Sequence, residues 1–103
     1  MKMRKIEQLM KDAITNKQDF KLDNTAVYFN ERTNQSLVRL HNNLIAVIHH
    51  GEFKEVEVNE SMFKQYPTRT TSSRLRALGV PASLKNGLAL LDGVTLWTLL
   101  KVI

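Results

Sequence analysis

The chain has 103 residues, 43% of them hydrophobic, and a mean hydropathy of −0.27, so it has room for one domain with one core and reads as soluble and globular rather than disordered. It contains no cysteine, which removes disulfides and thiolate chemistry and fits a reducing cytosol. No apolar run approaches the ~18 residues of a membrane span, and no apolar stretch of signal-peptide length follows the basic start, so a membrane partner and a secretory leader are not expected.

Residues 1–19 read as an N-terminal helix. Ile6, Leu9, Met10, Ala13 and Ile14 recur at helical spacing and form one apolar stripe. Glu7 and Lys11 are placed for an i,i+4 pair, and Asn16-Lys17 is a natural end. The helix is a lid for one face of a sheet. Its basic residues Lys2, Arg4, Lys5 and Lys11 are able to contact an anion, although such residues ordinarily form a solvated face.

Residues 24–58 read as a four-strand antiparallel meander. Thr25 to Phe29 is rich in β-formers, and NERTNQ makes a polar turn. The stretch LVRLHNNLIAVIHHG then predicts the central hairpin, with Asn42-Asn43 as a two-residue primed turn. That register sets His41 opposite Leu44, Leu40 opposite Ile45 and Val38 opposite Val47. It turns Val38, Leu40, Ile45 and Val47 to the core. The other face mixes Leu37, Leu44, Ala46 and Ile48 with Arg39 and His41. Phe53 to Val58 is the fourth strand, with Val56 and Val58 inward and Glu55 and Glu57 outward.

A short helical turn fits Glu60 to Lys64, and Pro67 disfavours helix at Tyr66. Residues 68–79 read as a basic loop and a short second helix. Thr71 or Ser72 is the expected N-cap, Gly79 the C′ residue, and Pro81 a stop. Leu75 and Leu78 point inward, with Arg74 and Arg76 on the flanks. Residues 82–103 carry the C-terminal strands, with turns at Asn86-Gly87 and Asp92-Gly93. The expected fold is a single α+β domain: an N-terminal amphipathic helix packed on a meander, a short second helix and a C-terminal β-hairpin.

The net charge of +5 is unevenly placed. Residues 61–91 hold five basic residues and no acid, so this window equals the whole excess. Thr70, Thr71, Ser72 and Ser73 open a helix there, so free amides and hydroxyls converge on a place suited to phosphate. Arg69, Arg74 and Arg76 add charge and forked donors. Lys64 and Lys85 widen the patch, and Tyr66 offers a stacking face. Such a surface binds nucleic acid through phosphates with little base specificity. Alternatively, the hydroxyls merely cap the helix and the arginines pair with Glu55, Glu57 or Glu60.

Other chemistries have little footing. His49 and His50 are adjacent and point apart, His41 lies far along the hairpin, and no His-x-x-x-His pair occurs, so no metal is expected. No Gly-rich phosphate loop and no Gly-x-Ser-x-Gly elbow is present, and no cofactor is expected. His41 with Arg39 and a carboxylate would be the seed of a metal-free nuclease, a use that a half-exposed strand equally explains. No catalytic residues are assigned, and the second helix is too short for a DNA-reading helix.

Three stretches together carry a resemblance. Asn24-Thr25 with Val27 and Phe29, then Val38-x-Leu40-His41-x-Asn43-x-Ile45-Ala46, then Thr68-x-Thr70-Thr71-x-Ser73-Arg74-Leu75-x-Ala77-Leu78, resemble small bacteriophage-encoded proteins of uncharacterised function. Those proteins show an NT strand, an LHGN-IA hairpin and a TxTTxSRLNAL segment. This chain departs at Tyr66-Pro67, where a Gly-Trp is usual, and at Arg76, where an Asn is usual. The resemblance implies a soluble protein made in the cytoplasm of an infected bacterium. Two functions follow as expectations. One is a non-enzymatic accessory protein that binds nucleic acid through the 68–76 segment. The other is a module that blocks or redirects an acidic host protein. Exposed strand edges, or the apolar tail of Trp97, Leu99, Leu100, Val102 and Ile103, would support a homo-oligomer.

Overall fold

The structure is a computed structural model that describes residues 4–52, 55–91 and 94–95. Helix α1 (Lys5–Thr15) forms on the apolar stripe read from the sequence, and Met10, Ala13 and Ile14 are buried. It ends in a Schellman motif. Lys17 takes φ 52°, its N–H reaches Ile14 O at 3.1 Å, and the Gln18 N–H reaches Ala13 O at 2.9 Å. The expected Glu7–Lys11 surface pair does not form. Glu7 is 3% exposed and turns inward.

The meander has five strands rather than four. They are β1 (Phe20–Leu22), β2 (Thr25–Asn30), β3 (Gln35–Leu40), β4 (Asn43–His49) and β5 (Glu55–Val58), antiparallel and in sequential order. Asp23-Asn24, expected as mere punctuation before the first strand, is the tight turn of a β1–β2 hairpin that pairs Leu22 with Thr25. Phe53 lies outside the described residues.

The central hairpin exists, but its register differs from the expected one. The turn is His41-Asn42, with φ 50° and 65°, and Leu40 faces Asn43. Arg39 pairs with Leu44 while Val38 pairs with Ala46, so one residue of β4 is extra. That bulge resets the alternation. Ala46 and Ile48, expected on the mixed face, are buried, and Val47, expected in the core, is only half-buried. The gain is apolar volume under the helices, where Ile48 is 1% exposed. His41 sits in the turn and does not share a strand face with Arg39.

Helix α2 (Glu60–Gln65) occupies the stretch where a helical turn was expected. The Asn59 side chain caps it by accepting from the Met62 N–H at 3.2 Å, and its amide donates to Leu44 O at 2.8 Å. Phe63 from α2 is fully buried. Helix α3 (Arg69–Ala77) starts earlier than expected. Its N-cap is Thr68, whose Oγ1 accepts from the Thr71 N–H at 3.1 Å, and not Thr71 or Ser72. Thr68 has the extended backbone that follows Pro67, which suits it to the cap position. The end is as expected. Gly79 at φ 90° closes a Schellman motif, with the Val80 N–H on Leu75 O at 3.0 Å.

Strands β6 (Ala82–Lys85) and β7 (Leu88–Leu91) join through Asn86-Gly87, both left-handed, and β7 pairs with β8 (Val94–Thr95). The Asp92-Gly93 turn and the apolar tail from Trp97 onward lie outside the described residues. Met10, Ile14, Phe63 and Leu75 from the three helices meet Val27, Val38, Leu40, Ile48 and Val58 of the large sheet and Ala82, Ala89 and Leu91 of the small one. This α+β arrangement brings one face of α3 between α1 and the β6–β7 turn.

Candidate anion-binding cleft

The 68–76 segment splits into two unlike faces. Arg69, Ser72, Ser73 and Arg76 stand at i, i+3, i+4 and i+7 and so share one side of α3. They line an open cleft of about 1010 Å3 with Ala77, Arg4 and Glu7 of the N-terminal region, and Ser83, Leu84, Asn86 and Gly87 of the β6–β7 hairpin. Arg4, Arg69 and Arg76 are exposed at its rim, while Ser72 lies deep at 1% exposure.

Arg74 lies outside the cleft lining, on the inward side of the helix, and is 3% exposed. All three of its nitrogens are occupied. Nη1 donates to Glu7 Oε2 at 2.7 Å, Nε to Thr25 Oγ1 at 2.9 Å, and Nη2 reaches Asn24 Oδ1 at 3.4 Å. Thr25 Oγ1 in turn donates to Asn24 Oδ1 at 2.9 Å. Ser73 Oγ donates to the same Glu7 oxygen at 2.5 Å. A buried charge pair is tolerable when its polar atoms find partners, and among the described residues no buried side-chain nitrogen or oxygen lacks one. The cluster joins α1, α3 and the start of β2.

The Glu7 carboxyl shows the balance of these forces. Burial is the largest single effect and opposes ionisation. Hydrogen bonds from Ser73 and Arg74, the Arg4 amide and the Arg74 charge together outweigh it and hold the carboxyl below its usual range. Among the described residues Glu7 is the one acid in the cleft lining, and Arg74 already balances its charge.

Arg76 is arranged differently. Its Nη1 donates to Ser72 Oγ at 2.6 Å and to Ala82 O at 3.2 Å, which accounts for both protons on that nitrogen. Nε and Nη2 have no hydrogen-bond partner among the described residues. The guanidinium is therefore held in place with one donor edge open, the edge that grips a phosphate or carboxylate with two parallel bonds. Arg4 and Arg69 have no acidic partner among the described residues.

The remaining expected site residues are placed elsewhere. Thr71 is buried and its hydroxyl is shared with Thr68 Oγ1 at 2.9 Å, so it serves the helix start. Thr70 does not line the cleft, nor do Lys64 on α2 and Tyr66 just after it, nor Lys85 at the end of β6. Of the fourth-strand carboxylates offered as partners for the arginines, Glu57 bonds His49 Nε2 at 2.9 Å. His49 Nδ1 lies 2.9 Å from Gln35 Nε2, while His50 Nε2 lies 2.7 Å from Ser36 Oγ. Sequence reasoning missed Glu7, Ser83, Asn86 and Gly87 as parts of this site. Arg4 was visible as one of the helix cations, but nothing local tied it to residues some seventy positions away.

A family model described as Kyanoviridae Gp96 protein matches residues 3–95. The chain belongs to the Kyanoviridae Gp96 family. This is a phage protein family, in line with the resemblance to small phage proteins. No curated protein and no solved structure matches the chain. In this Gp96-family chain, two of the stretches that carried the resemblance meet in the buried cluster. Asn24 and Thr25 come from the first, Ser73 and Arg74 from the last. Arg76, which stands where an Asn is usual in that pattern, opens instead on the cleft.

Proposed function

We propose that this protein is a non-enzymatic phage accessory protein, acting in the cytoplasm of the infected host, that binds nucleic acid through backbone phosphates in the cleft between α1, α3 and the β6–β7 turn. The observation that supports this reading is the open edge of Arg76. It sits in a cleft whose other cations, Arg4 and Arg69, face no acid among the described residues except the already paired Glu7. Arginine suits such a place because its planar fork matches the geometry of phosphate oxygens. Ser72 holds the Arg76 guanidinium in place by accepting from its Nη1. Contacts of this kind confer affinity with little sequence preference.

Fluorescence anisotropy with labelled oligonucleotides at several salt concentrations tests the reading. Three phosphate-bound arginines predict a slope of log K against log salt of about −2 on single strands. Arg69→Ala and Arg76→Ala should each flatten that slope by about 0.7. Binding that does not depend on salt would refute it.

A second reading is a module that binds a host protein. It is favoured by the sheet face opposite the helices, where Tyr28, Leu37 and Val47 form a row across three strands and Tyr28 is 53% exposed. Capture from a nuclease-treated host lysate separates the two. A stoichiometric protein partner lost in Tyr28→Glu supports the second reading, and loss of every partner on nuclease treatment supports the first.

A further inference from the structure

We infer that the outer face of the five-stranded sheet is the interface on which a second copy of this chain packs, face to face, as a reversible two-fold dimer. The inference stands apart from the phosphate reading, because the cleft lies on the helix side of the sheet, and it commits the face that the second reading offers to a host protein. Three observations carry it. First, the face has an apolar centre that no described residue buries. The helices pack on Val27, Val38, Ile48 and Val58, and the alternating residues turn the other way. There Tyr28, Leu37 and Val47 lie side by side on β2, β3 and β4, none of them buried. Apolar neighbours in one exposed row mark a contact surface.

Second, the charges around this centre are self-complementary. Glu57 continues the row on β5, and Glu55 stands two residues away on the same face. Towards the opposite edge of the sheet, Lys21 on β1 and Arg39 on β3 flank Ala26. The side chains of Lys21, Arg39 and Glu55 have no partner among the described residues, and Glu57 has His49. A two-fold axis along the strands exchanges the β1 side of one copy with the β5 side of the other, so the cations of each face the carboxylates of the other. Placed between β3 and β4, that axis also lays Leu37 of each copy on Val47 of the other and brings Arg39 within a strand of Glu57. An axis across the strands would instead set β5 on β5 and stack carboxylate on carboxylate. Third, the size suits a weak dimer. Five strands about 4.8 Å apart and about 20 Å long present roughly 500 Å2 per copy. About 1,000 Å2 in total is the low end for a specific interface, so association should be reversible and dependent on concentration.

The test is sedimentation equilibrium of the purified full chain from micromolar to near-millimolar concentration. The expected result is a monomer–dimer equilibrium that Arg76→Ala leaves unchanged. Tyr28→Glu and Val47→Lys should each weaken it at least about tenfold, with a urea midpoint close to that of the parent. Arg39→Glu alone and Glu57→Arg alone each set like charges together and should each reduce the dimer. An equimolar mixture of those two variants should restore it, because every such contact in the mixed pair is again between opposite charges. A chain that stays monomeric throughout would overturn the inference, and if Tyr28→Glu then also abolishes capture of a host protein, the face belongs to that partner. A dimer indifferent to Tyr28→Glu and to the charge exchange would overturn it as well, and would move association to a strand edge or to residues 96–103. The mixing experiment decides the matter should Tyr28→Glu fail to fold.

Discussion

Replacing Arg74 by alanine leaves the Glu7 carboxylate buried without its cation. Breaking a buried pair in this way costs about 3–5 kcal/mol, a large share of the stability of a domain this size. Urea denaturation should show that loss for Arg74→Ala, and a smaller one for the double change Glu7→Leu/Arg74→Met, which removes both charges. The same pair predicts a pH dependence. Glu7 has a folded pKa below the ordinary value of 4.5, so its contribution is fully present above that value and is lost as pH falls through the folded pKa. Urea midpoints measured from neutral pH down through the acid range should fall more steeply for the parent than for Glu7→Gln. Arg76 is the opposite case at the same scale, and its replacement should alter binding far more than stability. The sequence put Arg74 and Arg76 on the same footing, because both lie in an acid-free run. What separates them is a partner 67 residues away, and no local pattern reports that. Arg69, Ser72, Ser73 and Arg76 were readable as a basic, hydroxyl-rich surface from charge and spacing alone.

At the scale of elements, local rules worked where the determinants are local. The stripe of α1, the glycine end of α3 and the Asn86-Gly87 turn all followed from residues within a turn of one another. The central hairpin was misjudged by one residue. His41-Asn42 and Asn42-Asn43 are both acceptable left-handed pairs, and the choice fell to core packing through the extra residue in β4. Strand β1 escaped notice because it has three residues and exposes two of them. The hairpin geometry makes its own prediction. A primed turn favours Asn-Gly, so His41→Asn/Asn42→Gly should stabilise the protein by about 0.5–1 kcal/mol, read as a higher urea midpoint with unchanged slope. A loss of stability there would mean that the His41 side chain, and not only its backbone, holds the turn.

For the whole molecule, the α+β class and the order of helix, meander, helix and hairpin were legible in the alternation and turn signals. The cleft was not, because it exists only where the N-terminal helix, the third helix and the last hairpin converge. A ligand seated there bridges elements from both ends of the chain, so it should stabilise the fold as a unit. At 100 times its Kd, an oligonucleotide should add about 2.7 kcal/mol, seen as a rise in Tm that Arg76→Ala reduces. The same convergence bears on folding during synthesis. α1 is made before α3, so the cation that neutralises Glu7 and part of the surface that covers Met10 and Ile14 come later. Until residue 74 has emerged, Glu7 has no cation to pair with, although β1 and β2, which also pack on α1, are already made. Protection of α1 against proteases in a nascent chain should therefore begin with the sheet and be complete only when α3 docks.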